Sequence, residues 1–323
     1  MSIVEGSSSQ LSLNRIEQAM EVIDPVFLNS PQFVSESLSE SLEIEVFLKI
    51  ETVNPIRSFK GRGAEFFLAS SPKQPATLVC ASAGNFGQGL AYAARKRGFK
   101  AIVFAAETAN HFKVERMREL GAEVRLFGSS FEDAKAEARR FAGQSSARFV
   151  EDGRQPEIAE GAGTISLEVC RAPVPFDAFL VPLGDGALIS GIGLWMKAHS
   201  PSTRVIGVCA EGAPAMALSW RERRLCSTQS TSTIADGIAV SNPIPESLGN
   251  LTALMDEVLT VDDESMVQAI RLAFRHHGLV IEPAGAAGLA AAITYKDRFR
   301  GTRIVTPLCG GNLTSDQVKL WLV

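Results

Sequence analysis

Short runs of β-branched and other apolar residues alternate along most of the chain with longer stretches in which apolar positions recur every three to four residues. The first pattern suits a strand buried on both faces, and the second suits a helix with one apolar stripe. Strands are predicted at 77–81, 101–105, 123–127, 178–182, 204–210, 257–261 and 303–308. Helices are predicted at 87–97, 111–120, 131–142, 188–199 and 215–224, from Asp262 or Asp263 to His277, and at 284–295. Strands alternating with helices make βαβ units, and their parallel sheets are flanked by helices. The expected fold class is α/β. No repeat of about 20–50 residues interrupts the pattern. Low complexity is confined to the Ser-rich start.

In sheets of this kind ligands collect at the carboxyl ends of strands, in loops that open helices. The unusual residues of this chain fall there. Ser82-Ala83-Gly84-Asn85-Phe86-Gly87-Gln88 follows the strand at 77–81. Its small residues let backbone N–H groups converge at a helix N-terminus, which suits a carboxylate or phosphate, although a tight strand-to-helix turn needs the same glycines. Gly184-Asp185-Gly186-Ala187-Leu188 follows the strand at 178–182 and has the form of a second anion cradle. Asp185 is out of place in it, because a carboxylate beside a phosphate costs energy unless it points away or meets a cation. Cys309-Gly310-Gly311-Asn312 ends the last strand. Cys309 reads first as a small buried hydrophobe, with a weak thiol partner for a ring nitrogen as the alternative. Glu282-Pro283-Ala284-Gly285 opens another helix, where Glu282 suits the N-terminus as well as a ligand.

Lys60 lies in Asn54-Pro55-Ile56-Arg57-Ser58-Phe59-Lys60-Gly61-Arg62. Asn-Pro initiates a turn. Phe59 can supply an apolar wall, and Arg57 and Arg62 can supply positive charge. Desolvation and nearby cations both favour a neutral, reactive amine. A solvated lysine in a basic turn is the plain alternative.

Composition narrows the function classes. The chain has 323 residues, 46% of them hydrophobic and 21% charged, enough for a sizeable core in one large or two intimate domains. A net charge of −4 argues against nucleic acid as a main partner. No apolar run is long enough to span a membrane, and the polar start is unlike a signal peptide. Five scattered cysteines and four histidines show neither a disulfide framework nor metal-ligand spacing, so no metal is expected and a reducing cytoplasm is the expected compartment.

Taken in order, the motifs at 54–60, 82–88, 182–188, Thr233-Ile234-Ala235-Asp236-Gly237, 282–285 and 309–312 resemble those of the fold type II (β-family) pyridoxal-phosphate enzymes, most closely the threonine/serine dehydratase group. The resemblance runs from about Ile23 to the C-terminus. It implies a two-domain architecture like the tryptophan synthase β subunit, with a small α/β domain at 52–143 and a large one formed by 1–51 and 144–323. It implies pyridoxal 5'-phosphate held by Lys60 as a Schiff base, with Phe59 against the ring and Asn85 on the 3-oxygen. Gly184, Asp185, Gly186, Ala187 and Leu188 would take the phosphate, and Cys309 would face the pyridine nitrogen. Ser82, Ala83, Gly84, Asn85, Phe86 and Gln88 would bind the substrate carboxylate. The implied activity is that of an ammonia-lyase acting by α,β-elimination on a β-hydroxy amino acid such as threonine or serine, in a homodimer.

The departures from the family pattern carry information. Serine racemases of the family have a serine where this chain has Ala83, so racemisation is not expected. Phe86 replaces a common histidine, which points to a larger or more apolar β-substituent. The cation site of racemase-like members, near Glu211, lacks a second carboxylate among residues 212–217. The chain ends at Val323, so an isoleucine-sensing regulatory domain is not expected. The alternatives are β-replacement, threonine synthase-like chemistry, a protein that binds cofactor or amino acid without turnover, and a nicotinamide dehydrogenase. The last lacks the acidic residue expected about 20 positions after a glycine fingerprint.

Overall fold

The computed structural model describes residues 11–72 and 76–323. In chain order the strands are β1 (Gln32–Val34), β2 (Glu45–Ile50), β3 (Thr77–Ala81), β4 (Lys100–Ala105), β5 (Glu123–Leu126), β6 (Arg148–Phe149), β7 (Ala178–Pro182), β8 (Arg204–Ala210), β9 (Glu257–Val261) and β10 (Arg303–Leu308). They form two sheets. One has six strands in the order β1-β2-β10-β7-β8-β9, and the other has four in the order β5-β4-β3-β6. All pairings are parallel except β1 with β2. The expected boundary at 143 falls before β6, whose two residues pair with β3 in the smaller sheet.

The strands predicted at 77–81, 178–182, 204–210, 257–261 and 303–308 occur at those bounds. β7 and nearly all of β8 are buried, as expected for strands covered on both faces. Helix starts follow local chemistry: the Ser130 side chain accepts from the N–H of Asp133, and that of Asp262 accepts from the N–H of Ser265.

The helices Lys60–Ala69 and Pro156–Val169 were not anticipated. Every residue from Gly61 through Leu68 is buried, Arg62 and Glu65 included. A helix enclosed on all sides has no polar face, so the 3.6-residue alternation that betrays other helices is missing. Arg62 donates to Glu51 at 2.8 Å and to Glu168 at 2.7 Å, and Lys49 donates to Glu168 at 2.5 Å. All four side chains are at most 2% exposed. Two cations and two carboxylates cancel, and the hydrogen bonds satisfy the fork of the guanidinium. This cluster anchors the helix that begins at Lys60.

Candidate active site between two sheets

Asn54 builds the turn before Lys60. Its Oδ1 accepts from the N–H groups of Ile56 (3.1 Å) and Ser58 (3.2 Å), while its Nδ2 donates to the carbonyls of Glu51 (2.8 Å) and Ser58 (3.2 Å). The segment is pinned to the end of β10: Phe59 N–H donates to Cys309 O at 3.2 Å, and Gly311 N–H donates to Arg57 O at 2.9 Å. Lys60 is thus the first residue of a helix, pressed against the cysteine loop. Its Nζ lies 4.7 Å from the centre of the Phe59 ring and pairs with Asp152. Neither expected cation reaches it. Arg57 is exposed at φ 52°, and the Arg62 charge is spent on Glu51 and Glu168. The charge at Lys60 is an anion, supplied by a residue that the sequence reading passed over.

A dense polar network lies on the other side of the cysteine loop. Asn85 Nδ2 donates to Glu282, and Asn85 Oδ1 accepts from Asn312 Nδ2 at 2.8 Å. Lys113, 3% exposed, holds Asp236 at 2.7 Å and Glu282 at 3.3 Å. Burial alone would lower the Lys113 pKa, but Glu282 and Asp236 outweigh it and hold the amine well above its usual value. Burial pushes the Glu282 carboxyl up, with Lys113 opposing and Asp236 adding to the rise. Gly310 is required here: a Cβ on it would lie 2.0 Å from Glu282 Oε1. Burial, then the charge of Glu282, pushes the Cys309 thiol far up, so it stays protonated and neutral.

Part of the hydrogen-bonding capacity of the loop at 82–88 is spent within the loop. Ser82 Oγ accepts from Gly84 N–H (3.2 Å) and Gly87 N–H (2.9 Å), and Gln88 N–H returns to Gly84 O. The N–H groups of Ala83, Asn85 and Phe86 have no protein acceptor among the described residues and sit at the start of the helix Asn85–Arg97. Gln88 is fully buried with neither amide atom hydrogen-bonded. Phe86, 6% exposed, sits in the apolar cluster of Leu90, Val114 and Met117. At 184–188, Gly186 caps the helix Ala187–His199 at φ 93°, and the N–H groups of the loop are likewise without protein acceptors. The Asp185 carboxylate has no hydrogen bond or ion pair among the described residues.

The fold therefore brings Lys60, Phe59, Asn85, Cys309 and both glycine loops together at the carboxyl ends of β3, β7 and β10. It adds Asp152, Lys113, Asp236 and Asn312. Asp152 and Lys113 gave no motif signal. Asp236 and Asn312 stood inside quoted motifs and were given no role. Glu211 is exposed, and among the described residues no group of three or more His, Cys, Asp and Glu side chains is placed to hold a metal ion.

Residues 23–310 match the family model described as pyridoxal-phosphate dependent enzyme. The chain belongs to that family. It is 33% identical over 310 residues to the L-threonine ammonia-lyase of Thermotoga maritima, covering 95% of this chain and 77% of the relative. It is 32% identical over 318 residues to the chloroplastic biosynthetic threonine dehydratase of Arabidopsis thaliana, covering 94% of this chain and 54% of that protein. The chain thus spans about half the length of the plant relative. Its structure superposes on the processed form of threonine deaminase isoform 2 from Solanum lycopersicum with a TM-score of 0.89 at 26% identity, covering 99% and 90% of the two chains. Within the pyridoxal-phosphate-dependent family this chain is threonine/serine dehydratase-like, with the fold type II architecture.

The residues present fit the cofactor. Lys60 can bond its aldehyde, Asn85 and Asn312 offer amide groups, and Cys309 offers a neutral thiol. The free N–H groups at 184–188 can take a phosphate, and the buried amide of Gln88 has no hydrogen-bond partner and is available to a polar group.

Proposed function

We propose that this chain catalyses α,β-elimination from a β-hydroxy amino acid such as threonine or serine, yielding ammonia and a 2-oxo acid. The setting of Lys60 carries the reading: an amine with a single carboxylate partner, on the rim of the cysteine loop, in a site where position 83 is alanine. When bound, pyridoxal phosphate supplies an electron sink conjugated to the substrate's α-carbon. Lys60 takes the α-proton, the C–O bond at the β-carbon breaks, and the hydroxyl leaves as water. The released enamine then tautomerises and loses ammonia by hydrolysis.

The free N–H groups of Ala83, Asn85 and Phe86, at a helix N-terminus, hold the substrate carboxylate. Those at 184–188 hold the phosphate. A neutral Cys309 thiol leaves the ring nitrogen only weakly supported, which favours prompt departure of a β-leaving group over a long-lived carbanion. Position 83 carries no hydroxyl, so this residue returns no proton to the opposite side of the α-carbon.

The proposal includes a two-domain division around the two sheets, a homodimer and a cytoplasmic location. All five cysteines are free, the state that a reducing compartment maintains. No helix among the described residues is long and apolar enough to cross a membrane. The test is a panel of threonine, serine, β-phenylserine and 3-hydroxyaspartate given to cofactor-loaded protein, with 2-oxo acid and ammonia measured together. Failure to release ammonia from every one of them sinks the reading.

A further inference from the structure

The phosphate end of the site carries a carboxylate, Asp185, on the proposed anion cradle itself. The loop at 151–155 touches the loop at 184–188: a Cβ on Gly153 would lie 3.0 Å from Asp185 Cβ. Ser247 Oγ ties the two together by donating to Gly153 O at 3.0 Å and to Asp185 O. Asp152 Oδ2 pairs with Lys60, while Asp152 Oδ1 is buried without a partner. Four charged groups act on Asp185: the carboxylates of Asp152 and Glu151, and the amines of Lys60 and Lys135. Both amines are already engaged, Lys60 with Asp152 and Lys135 with Glu151 at 2.6 Å. Glu151 also holds Arg139 at 2.8 Å and Arg154 at 3.4 Å, and Arg154 reaches Glu246 at 3.2 Å. Asp185 is the carboxylate of the cluster that no cation pairs with among the described residues. Burial first, and the Asp152 charge second, push its carboxyl up to about 7.

A phosphate monoester brings nearly two further negative charges at neutral pH. An ionised Asp185 on the cradle itself would repel it, whereas a protonated one offers an O–H donor to a charged acceptor, a strong hydrogen bond. We propose that Asp152 and Asp185 work as a carboxyl pair in which Asp152 stays ionised as the counter-ion of Lys60 and Asp185 carries a proton that it donates to the cofactor phosphate, so that phosphate binding takes up one proton. This rests on the reading of residues 184–188 as the phosphate cradle. The proton comes from solvent, and no other bond changes.

The sign follows from linkage. A ligand that prefers the protonated site binds more weakly as pH rises through that site's titration. Asp185→Asn keeps a donor and cannot ionise. Apoprotein is titrated with pyridoxal phosphate, followed by protein fluorescence, from about pH 6 to about pH 9 in wild type and Asp185→Asn. The Kd ratio of wild type to variant is expected to be near one at the acid end and to climb toward about tenfold per pH unit above about pH 7. With pyridoxal, which lacks the phosphate, the ratio stays flat. Calorimetry of wild type in two buffers of different ionisation heat gives an independent reading if the variant does not fold. At about pH 8 it should show about one more proton taken up with pyridoxal phosphate than with pyridoxal. A flat Kd ratio, or equal proton uptake with the two ligands, overturns the carboxyl pair while leaving the cradle reading intact. Absence of pyridoxal phosphate binding by wild type at every pH overturns the cradle reading and the pair with it.

Discussion

Lys60 and Arg62 stand two residues apart at the start of one helix, and the protein treats their charges in opposite ways. Arg62 has no exposed surface and spends its donors on Glu51, Glu168, Ser30 and Thr164. Lys60 keeps a side chain 16% exposed, with one carboxylate partner and one aromatic wall. Saturation fixes a charge in place, because every partner lost would leave another ion buried alone. A single partner at the rim leaves the amine less constrained, as the covalent role proposed for it requires, with Asp152 beside it as counter-ion. The same helix turn thus supplies an immobile base plate and a reactive group mounted on it.

The contrast breaks first at Lys60. Lys60→Ala should lower ammonia release by about 10³-fold or more, a general-base-sized loss, and abolish covalent retention of the cofactor. Its urea midpoint should stay close to that of wild-type apoprotein. A large drop in midpoint would contradict the division of labour. Arg62→Met should do the reverse in kind: it leaves buried Glu51 without its cation and Glu168 with Lys49 alone, and equilibrium unfolding of the apoprotein should show a loss of about 3–5 kcal/mol. Near-native stability in that variant would show that the cluster is no anchor.

A smaller effect separates the two ends of the site by pH. The folded-state carboxyl of Asp185 is raised to about 7, above the usual value of about 4. Folding therefore favours its protonated form, and its contribution is fully present below about pH 4 and is lost as pH rises through about 7. Asp185→Asn apoprotein should gain on wild type in thermal midpoint between those limits and keep the gain at alkaline pH. Parallel midpoint curves would place the Asp185 carboxylate in water. The smallest effect concerns Ala83→Ser, which places a hydroxyl on the loop at 82–88. Chiral chromatography of remaining serine should detect slow racemisation in the variant and none in wild type, with elimination still the faster reaction.

Much of the fold was legible in the sequence because β3, β7, β8, β9 and β10 are mostly apolar short runs separated by helical stretches. The glycine loops and the Asn54-Pro55 turn were legible for a similar reason: their conformations depend on small residues and on one amide that closes the turn onto itself. Two of the helices flanking Lys60 were not legible, because burial on every side erases the periodicity that a reader relies on. The partner of Lys60 was missed for a different reason. Asp152 lies 92 residues away, in a segment with no motif, and an acidic residue in a loop looks like any solvated one.

The sequence by itself determined which chemistry is available: an amine in a tight turn, two glycine-containing helix starts, and a thiol at a strand end, all local consequences of residue type and spacing. Only the tertiary structure decided which charges meet. It turned Arg62 away from Lys60 and into a sealed ionic cluster, set Asp152 against Lys60, and left Asp185 without a cation. Electrostatic pairing depends on distance in space and on removal from water. Neither is written in the order of residues along the chain.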